Sequence, residues 1–309
     1  MTRSQKSFLD VKTSNGAPEL TILHVSDLHF GPPFVDEVAE AALRVAHELG
    51  PDVVVVSGDL TQRATRDQFL AAKEYLVRFP KAPMLVIPGN HDVPLYRVVQ
   101  RMTNPHADYI DVIGADLNPI LRLDAAVIVG LDSTAPRSAI SNGRIHAWQL
   151  EHCEQAFADA PENAAKIVVA HHHFTPAPDY LHDWTMPKSK RAMMRFVELG
   201  VDLILGGHLH RADIGNSLDF YPGQHPERGI IIAQSGTTTS RRGRGREQEK
   251  NTFNLIKIFS EVIEITHYLY FDARHGFIPT SRHTFRRGQK SLHDGEPDAI
   301  GAAVVSAKS

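Results

Sequence analysis

The chain is poor in cysteine. Among its 309 residues it has one, Cys153, so neither an internal disulfide nor a metal site made of several thiolates can form. We therefore expect a protein of a reducing compartment, whose polar chemistry depends on oxygen and nitrogen groups.

The sequence also lacks long apolar runs and an excess of one charge. No stretch approaches the roughly 18 apolar residues of a membrane-spanning helix, and residues 1–20 lack the apolar core of a signal peptide. Lysine and arginine total 33 against 36 aspartate and glutamate, and this net charge of −3 does not indicate a nucleic-acid or membrane-surface partner. We expect a cytoplasmic protein without a membrane span and without a nucleic-acid partner.

Strand and helix patterns alternate along most of the chain, which is typical of an α/β fold. Residues 52–60, DVVVVSGDL, begin with an almost wholly apolar strand, as expected when both faces of a sheet are covered. Residues 35–49 have apolar side chains at helical spacing. We predict a flexible lead-in at 1–18, a single domain at 19–275 and a mobile tail at 276–309.

Polar groups follow five of the predicted strands, each at the point where the apolar run ends. Ligands of doubly wound sheets bind outside the carboxyl ends of the strands, so these five segments should meet at one edge. About 30 residues separate the first three, which is the length of a βαβ unit. The segments are Asp27-Leu28-His29, Gly58-Asp59, Gly89-Asn90-His91-Asp92, His171-His172-His173 and Gly206-Gly207-His208-Leu209-His210.

The spacing within these segments favours binding of a shared centre. Residues i and i+2 of an extended chain point the same way, so Asp27 and His29 can bind one centre, and so can His208 and His210. A glycine before Asp59 allows close backbone approach or a positive φ.

The donor groups are carboxylate, imidazole and amide oxygen without sulfur, a set that suits Mn²⁺, Fe or Zn²⁺. The candidates exceed the needs of one tetrahedral site and suit two metal ions, about 3.5–4 Å apart, that share a carboxylate. Asp27 and Asp59 neutralise only part of the charge of two divalent ions. The surplus would hold a hydroxide and an anionic substrate.

Taken together, these motifs resemble those of a known family. DLH, GDL, GNHD, VVAHHHF and GGHLH, in this order, are similar to the five sequence blocks of the calcineurin-like metallophosphoesterases, over residues 20 to about 270. The resemblance implies a two-sheet α/β sandwich flanked by helices, with a dimetal site at the edge of the sheets. Within this superfamily the chain is most like the bacterial class III cyclic-nucleotide phosphodiesterases.

The resemblance also implies a role for each site residue. His91 would not bind metal but would protonate the leaving group, after a hydroxide that bridges the metals attacks phosphorus, and Asp92 would orient its neighbours. The implied ligands are Asp27, His29 and His210 for the first ion and Asn90, His171 and His208 for the second, with Asp59 bridging the two.

Three parts of this assignment stay open. His91 is either the proton donor or a residue that only braces Asp92 or Asp59. Three consecutive histidines offer three candidates; we choose His171, with His173 as the alternative, and His172 as a substrate contact or a solvent-facing neighbour. Residues 237–250, TTTSRRGRGREQEK, contain Arg241, Arg242, Arg244 and Arg246 in a loop broken by glycine, and a solvated loop is the favoured interpretation. In the functional alternative one of these arginines, with Arg241 and Arg242 as the first candidates, reaches the substrate phosphate, because guanidinium forks match phosphate oxygens.

We therefore predict a phosphodiesterase for a small phosphodiester such as 3',5'-cyclic AMP. A phosphomonoesterase or a lipid or nucleotide pyrophosphatase of the same superfamily is the alternative, since the same ligands serve all of these enzymes. A non-catalytic metal-bound scaffold is the alternative of another class, against which the intact ligands and His91 argue. The resemblance leaves a homodimer open, and nothing in the sequence marks its interface.

Overall fold

The structure, a computed structural model, describes residues 16–138, 143–176, 185–221, 229–243 and 250–287. These residues form two six-stranded sheets that pack face to face, with helices on both outer surfaces. The helices are α1 (Asp36–Leu49), α2 (Arg66–Leu76), α3 (Val98–Thr103), α4 (Ala107–Val112), α5 (Ala147–Ala158) and α6 (Ser189–Glu198).

The first sheet joins the start of the chain to its end. Its strands are β1 (Leu20–Val25), β2 (Val53–Val56), β3 (Met84–Val86), β10 (Thr252–Ile258), β11 (Val262–Phe271) and β12 (Gly276–Arg286), in the order β12-β11-β10-β1-β2-β3. Strands β1, β2 and β3 are parallel, and β10 to β12 form an antiparallel extension that begins beside β1.

The second sheet is mostly parallel. Its strands are β4 (Ile120–Arg122), β5 (Ala126–Leu131), β6 (Ala165–Ala170), β7 (Leu203–Gly206), β8 (Asp213–Asn216) and β9 (Ile231–Gln234), in the order β4-β5-β6-β7-β9-β8. The two edge strands, β4 and β8, pair antiparallel with their neighbours.

The all-valine strand β2 shows why the central strands are apolar throughout. Val53 and Val55 pack between the two sheets, whereas Val54 and Val56 pack under α1 and α2 on the outer surface. Both faces of the strand are therefore buried, and the alternation of polar and apolar residues disappears. The sequence prediction of a two-sheet α/β sandwich flanked by helices is confirmed.

The carboxyl ends of the parallel strands define one edge of the sandwich. In the first sheet β1, β2 and β3 end at Val25, Val56 and Val86, and in the second sheet β6 and β7 end at Ala170 and Gly206. The five polar segments follow these five ends directly.

The predicted boundary of the tail at 276 was wrong. Residues 276–286 form β12, which pairs with β11 along almost its whole length. The strand was missed because it lies at the edge of the sheet: among its residues only Phe277 is buried, so no apolar run marks it. Residues 288–309 and the first fifteen residues of the predicted lead-in lie outside the described part of the chain.

Two short helices, α3 and α4, lie between β3 and β4, and each is only six residues long. Among the described residues, no helix has both the length and the apolar character needed to cross a membrane.

Candidate metal centre

The candidate ligands lie on turns beyond the strands rather than on extended backbone. Eight non-glycine residues in the described ranges have a positive φ, and five of them are candidate ligands. A left-handed conformation of such residues costs roughly 1–3 kcal/mol and is typical of functional sites. The five are Asp27 (φ 54°), His29 (φ 51°), Asp59 (φ 53°), His208 (φ 69°) and His210 (φ 51°).

This backbone overturns one expectation from spacing. An extended chain would direct His208 and His210 to the same centre, but the chain turns between them and their rings reach different groups. Nε2 of His210 lies 3.1 Å from Oδ1 of Asp27, whereas Nδ1 of His208 lies 2.8 Å from Oδ1 of Asn90. The expectation for this pair was therefore wrong, although Asp27 and His29 do converge.

The first cluster of donor atoms comprises Asp27, His29, Asp59 and His210. All four side chains are buried, and one ligand atom from each lies within 4.8 Å of the others. Nε2 of His29 is 3.0 Å from Nε2 of His210, 3.5 Å from Oδ1 of Asp27 and 3.7 Å from Oδ2 of Asp59. Two carboxylates and two imidazoles thus face one small volume.

The second cluster is centred on the amide oxygen of Asn90. This oxygen lies 3.1 Å from Nε2 of His171 and 2.8 Å from Nδ1 of His208. Nε2 of His171 is also 3.3 Å from Oδ2 of Asp59. The structure therefore places His171 in this cluster, while the ring of His173 stacks on that of His208 at 5.6 Å.

Asp59 belongs to both clusters through one oxygen atom. Its Oδ2 lies 3.7 Å from Nε2 of His29 and 3.3 Å from Nε2 of His171, and it has no hydrogen-bond partner among the described residues. Its Oδ1, in contrast, accepts a hydrogen bond of 2.7 Å from the backbone N–H of His91. Oδ1 is thus fixed by the backbone, and Oδ2 lies between the imidazoles of the first cluster and those of the second.

The residues present fit divalent metal ions. Oδ1 of Asp27 and Oδ2 of Asp59 are buried carboxylate oxygens without a hydrogen bond, and such atoms are costly unless a cation compensates them. The other donors around them are imidazole nitrogens and an amide oxygen, which Mn²⁺, Fe and Zn²⁺ accept as ligands.

The electrostatics of the site point to the same conclusion. Burial would raise the pKa of Asp59, but His171 and His91 outweigh it and hold that pKa below its usual range. Burial would lower the pKa of His171, yet Asp59 outweighs it and raises that pKa to about 9. Burial lowers the pKa of His29 to about 4, which keeps this ring neutral. The site therefore combines a carboxylate that attracts positive charge with a neutral imidazole donor, as metal binding requires.

Backbone groups fix the orientation of the ligands. Oδ2 of Asp27 accepts hydrogen bonds from the hydroxyl of Ser26 (2.7 Å) and the backbone N–H of His208 (3.0 Å), which leaves Oδ1 facing the cluster. Nδ1 of His171 lies 2.9 Å from the carbonyl oxygen of Ser57, an acceptor, so Nδ1 carries a proton and Nε2 is the nitrogen that faces the cluster.

His91 lies at the edge of both clusters without joining either. Its Nδ1 donates to the carbonyl oxygen of Gln62 at 3.0 Å, and its ring meets the ring of His29 edge-on at 4.9 Å. Because Nδ1 is engaged in this way, Nε2 is the nitrogen that remains for a reacting group.

Asp92 joins the turns that follow β2 and β3. Its carboxylate accepts hydrogen bonds from the backbone N–H groups of Leu60 (3.1 Å), Thr61 (2.9 Å) and Gly89 (2.9 Å), and from the hydroxyl of Thr61 (3.0 Å). This carboxylate therefore holds the turn of Asp59 against the turn of Asn90 and His91, in keeping with the orienting role predicted for it.

The proposed substrate contacts have different surroundings. His172 is buried, its Nδ1 lies 2.9 Å from the hydroxyl of Ser133, and its ring lies 4.7 Å from that of His208. Its burial contradicts the solvent-facing alternative. Nη1 of Arg242 donates to Oε1 of Gln62 at 2.8 Å. Arg241 is exposed, and its backbone N–H donates to the carbonyl oxygen of Pro33.

Sequence reasoning missed two groups that contact this site. Gln62 binds both His91 and Arg242, and Thr237 and Thr239 bind the turn that carries Asp27. The one sequence signal for the threonines is a run of hydroxyl residues directly after a buried strand, where an exposed turn would be expected.

Comparison with known proteins agrees with this geometry. Residues 20–212 match the family model described as calcineurin-like phosphoesterase. Over 142 residues the chain is 32% identical to the 3',5'-cyclic adenosine monophosphate phosphodiesterase CpdA of Escherichia coli (strain K12). That match covers 45% of this chain and 46% of the relative, so it spans about half of the relative's length.

Several solved structures share the fold. Purple acid phosphatase PPD1 from yellow lupin has a TM-score of 0.66 at 13% identity, over 88% of this chain and 54% of that one. PhoD has a TM-score of 0.61 at 11% identity, over 89% and 74%. A dimetal phosphatase from Danio rerio has a TM-score of 0.58 at 11% identity, over 87% and 99%.

At such identities the structural matches establish the fold alone, whereas the family model rests on the sequence itself. Its matched region contains every candidate ligand from Asp27 to His210 and more than half of the chain. The chain therefore belongs to the calcineurin-like phosphoesterase family.

Proposed function

We propose that the protein is a dimetal phosphodiesterase that hydrolyses a small phosphodiester such as 3',5'-cyclic AMP. The observation that carries this proposal is the position of Oδ2 of Asp59, unpartnered and buried between two sets of imidazole donors. A carboxylate oxygen in this position suits a ligand shared by two cations.

Each metal ion would have its own set of ligands. When bound, the ions supply Lewis acidity and a nucleophile at neutral pH. Manganese, iron and zinc all suit the donor types. The proposed ligands are Asp27, His29 and His210 for one ion, Asn90, His171 and His208 for the other, and Asp59 for both.

His91 is proposed as the general acid. Its backbone N–H is tied to Asp59, so its ring is fixed relative to the shared carboxylate. Its Nδ1 is tied to Gln62, so a protonated ring presents the proton on Nε2 to the departing oxygen. Proton transfer by a positioned side chain typically contributes ~10²–10⁴-fold to the rate.

Arg242 is proposed as the arginine that contacts the substrate phosphate. Gln62 binds His91 through its carbonyl oxygen and Arg242 through its side chain, so one residue connects the acid with the guanidinium. Arg241 is exposed and has no such connection in the described contacts. Arg244 and Arg246, further along the same loop, lie outside the described residues.

The cyclic-nucleotide substrate is supported by the name of the E. coli relative, a 3',5'-cyclic adenosine monophosphate phosphodiesterase. A phosphomonoesterase is the second candidate, favoured by the fold shared with a purple acid phosphatase. A non-catalytic scaffold is less favoured, since both clusters and His91 are complete.

The single cysteine suits a cytoplasmic enzyme.

One set of measurements tests the proposal. Metal content is determined after loading with Mn²⁺ or Zn²⁺, and hydrolysis of bis(p-nitrophenyl)phosphate is measured on the same sample. We expect two ions per chain and diesterase activity that a chelator abolishes. A screen of cyclic AMP, cyclic GMP and phosphomonoesters then identifies the substrate. Two bound ions without turnover of any ester would favour the scaffold, and fewer than two ions would contradict the dimetal proposal.

A further inference from the structure

Three consecutive carbonyl groups of the turn after β1 accept hydrogen bonds from three consecutive residues of the segment that follows β9. The carbonyl oxygen of Ser26 accepts from the backbone N–H of Thr238 at 3.0 Å. That of Asp27 accepts from the hydroxyl of Thr237 at 2.8 Å, and that of Leu28 accepts from the hydroxyl of Thr239 at 2.7 Å. We call residues 237–240 the hydroxyl run.

The hydrogen bond to Asp27 has a fixed direction. Oγ1 of Thr237 accepts the backbone N–H of Ser240 at 3.2 Å and lies 2.5 Å from the hydroxyl of Ser240. A hydroxyl has one proton to donate, and a carbonyl oxygen can only accept. The Thr237 hydroxyl has two carbonyl oxygens within reach, that of Asp27 at 2.8 Å and that of Ser240 at 3.4 Å, and the latter already accepts from Nδ2 of Asn251. When Ser240 donates its hydroxyl proton to Thr237, the proton of Thr237 therefore goes to the nearer oxygen, that of Asp27.

These carbonyls have no alternative partner within a sheet. The strand pairing of β1 ends at Val25, and Asp27 and His29 on either side of Leu28 have left-handed backbone. The N–H groups of Asp27 and His29 still donate to the carbonyl oxygens of Gly58 and Asp59, but in the described part of the chain no strand residue donates to the three carbonyls of the turn. The residues of the turn and of the hydroxyl run are buried, so water does not replace a lost donor. Buried backbone carbonyls without a partner are costly, and a strained turn persists only when its surroundings hold it.

The hydroxyl run is itself firmly attached to the rest of the fold. The carbonyl oxygen of Thr237 accepts from the backbone N–H of Thr252 at 3.0 Å, and that of Thr239 accepts from the N–H of Val35 at 2.9 Å. Nδ2 of Asn251 donates to the carbonyl oxygen of Ser240 at 2.8 Å. The hydroxyl run is thus fixed by hydrogen bonds to β10 and to the start of α1. Its own hydrogen bonds to the turn then fix the conformation of the turn.

We propose that Thr237 and Thr239 are positioning residues for the first metal ion. Their hydroxyls hold the left-handed turn in the conformation that directs Asp27 and His29 at the same point. This inference rests on the proposed dimetal function, and it gives these threonines a role on the metal side of the site. From the sequence alone, only the arginines of the same stretch are connected with the site, and on the substrate side.

Isosteric variants test the inference through metal binding. Thr237→Val and Thr239→Val remove a hydroxyl and keep the shape, whereas Thr237→Ser and Thr239→Ser keep the hydroxyl. Binding of Co²⁺ and Mn²⁺ to each apoprotein is measured in competition with a chelating indicator. Orienting partners of metal ligands typically contribute 10–100-fold to affinity, and we expect a loss of about that size for one of the two ions in the valine variants. The serine variants should restore it.

Tyr75→Phe is the matched control. The hydroxyl of Tyr75 is buried and donates to the carbonyl oxygen of Ala39 at 3.0 Å, so the change removes a bond of the same kind without touching the turn. We expect its metal affinity to equal that of the wild type, even when its thermal stability falls as much as that of the valine variants. If Thr237→Val cannot be purified folded, Thr239→Val gives the same test.

The outcomes separate this inference from the dimetal proposal. Wild-type protein that binds fewer than two ions contradicts the dimetal proposal and the inference together. Wild-type protein with two ions, and folded valine variants with unchanged affinity for both, overturns the inference alone. Serine variants that lose as much affinity as the valine variants also overturn it, because the hydroxyl would then not be the cause.

Discussion

The Oδ2 atom of Asp59 lies 3.3 Å from Nε2 of His171, and it has no hydrogen-bond partner in the part of the chain that the structure describes. In the same pair, Asp59 raises the pKa of His171 to about 9 although burial alone would lower it. A buried carboxylate that attracts positive charge this strongly is suited to compensate a bound cation. The shared oxygen therefore matters more for metal binding than any single imidazole.

Replacing Asp59 with asparagine should abolish binding of two ions. The amide keeps an oxygen but loses the negative charge between the two clusters, so we expect at least a ~100-fold loss in metal affinity and activity at background. Metal content and an indicator titration measure the effect. Asp52→Asn is the control, because Asp52 is exposed and its carboxylate accepts from the backbone N–H of Thr21 away from the site. An Asp59→Asn protein that still binds two ions tightly would contradict the bridging role.

Replacing His91 with glutamine should slow turnover without loss of metal. No atom of the His91 ring belongs to either cluster, and its backbone N–H to Asp59 does not depend on the side chain. We expect two bound ions and a kcat for cyclic AMP that is ~10²–10⁴-fold lower. The loss should be much smaller for bis(p-nitrophenyl)phosphate, whose leaving group needs little protonation. Equal losses on both substrates would argue against the acid role.

The sequence was sufficient to predict the fold and to bring the ligand candidates to one edge. Strand ends can be recognised locally, and in parallel strands they meet at the same side, which places Asp27, Asp59 and Asn90 together. Spacing alone does not predict the division of His208 and His210 between two clusters, because that division depends on a positive φ at both residues; only the family resemblance implies it. Spacing arguments assume extended backbone, and here the backbone is strained.

Contacts between distant segments were also beyond the sequence. Thr237 bonds to Asp27 across 210 positions of the chain, and Arg242 bonds to Gln62 across 180. Neither threonine nor glutamine is unusual on its own, so only the three-dimensional arrangement reveals their part in the site. The edge strand β12 escaped notice for a related reason, since backbone pairing with β11 defines it and burial does not.

Two histidines connected through Asn254, the buried His24 and the partly buried His267, should make the stability of the fold sensitive to acid. Nδ1 of His267 lies 2.5 Å from Oδ1 of Asn254, whose amide nitrogen lies 3.3 Å from Nδ1 of His24. Burial lowers the pKa of His267 to about 4 and that of His24 to about 3, against about 6.5 when unfolded. The unfolded chain therefore binds more protons below pH 6.5. The stability is fully present above that pH and is lost as the pH falls toward 4.

His267→Asn keeps a donor for Asn254 and removes one of these titrations. Between pH 7.5 and pH 5, His267 accounts for a loss of about 2 kcal/mol in the free energy of unfolding. Over the same interval we expect the free energy of unfolding of the variant to fall by about 2 kcal/mol less than that of the wild type. Urea unfolding of the metal-free proteins measures both. If the free energies of unfolding of the variant and the wild type fall by the same amount from pH 7.5 to 5, His267 is not responsible for the loss.

Arg242 and Arg241 should differ in their effect on catalysis. A charge-assisted hydrogen bond to phosphate is worth about 1.5–3 kcal/mol, so Arg242→Ala should lower kcat/KM about 10–100-fold. Arg241→Ala is the matched control and should change it little, since the Arg241 side chain is exposed. Gln62→Leu should fall between the two, because it removes the partner of Arg242 but keeps the carbonyl oxygen that holds His91. Metal content should stay at the wild-type value in all three variants. If Arg241→Ala lowers kcat/KM as much as Arg242→Ala does, the hydrogen bond to Gln62 does not mark the arginine that binds the substrate. The substrate phosphate would then be bound by another part of the loop.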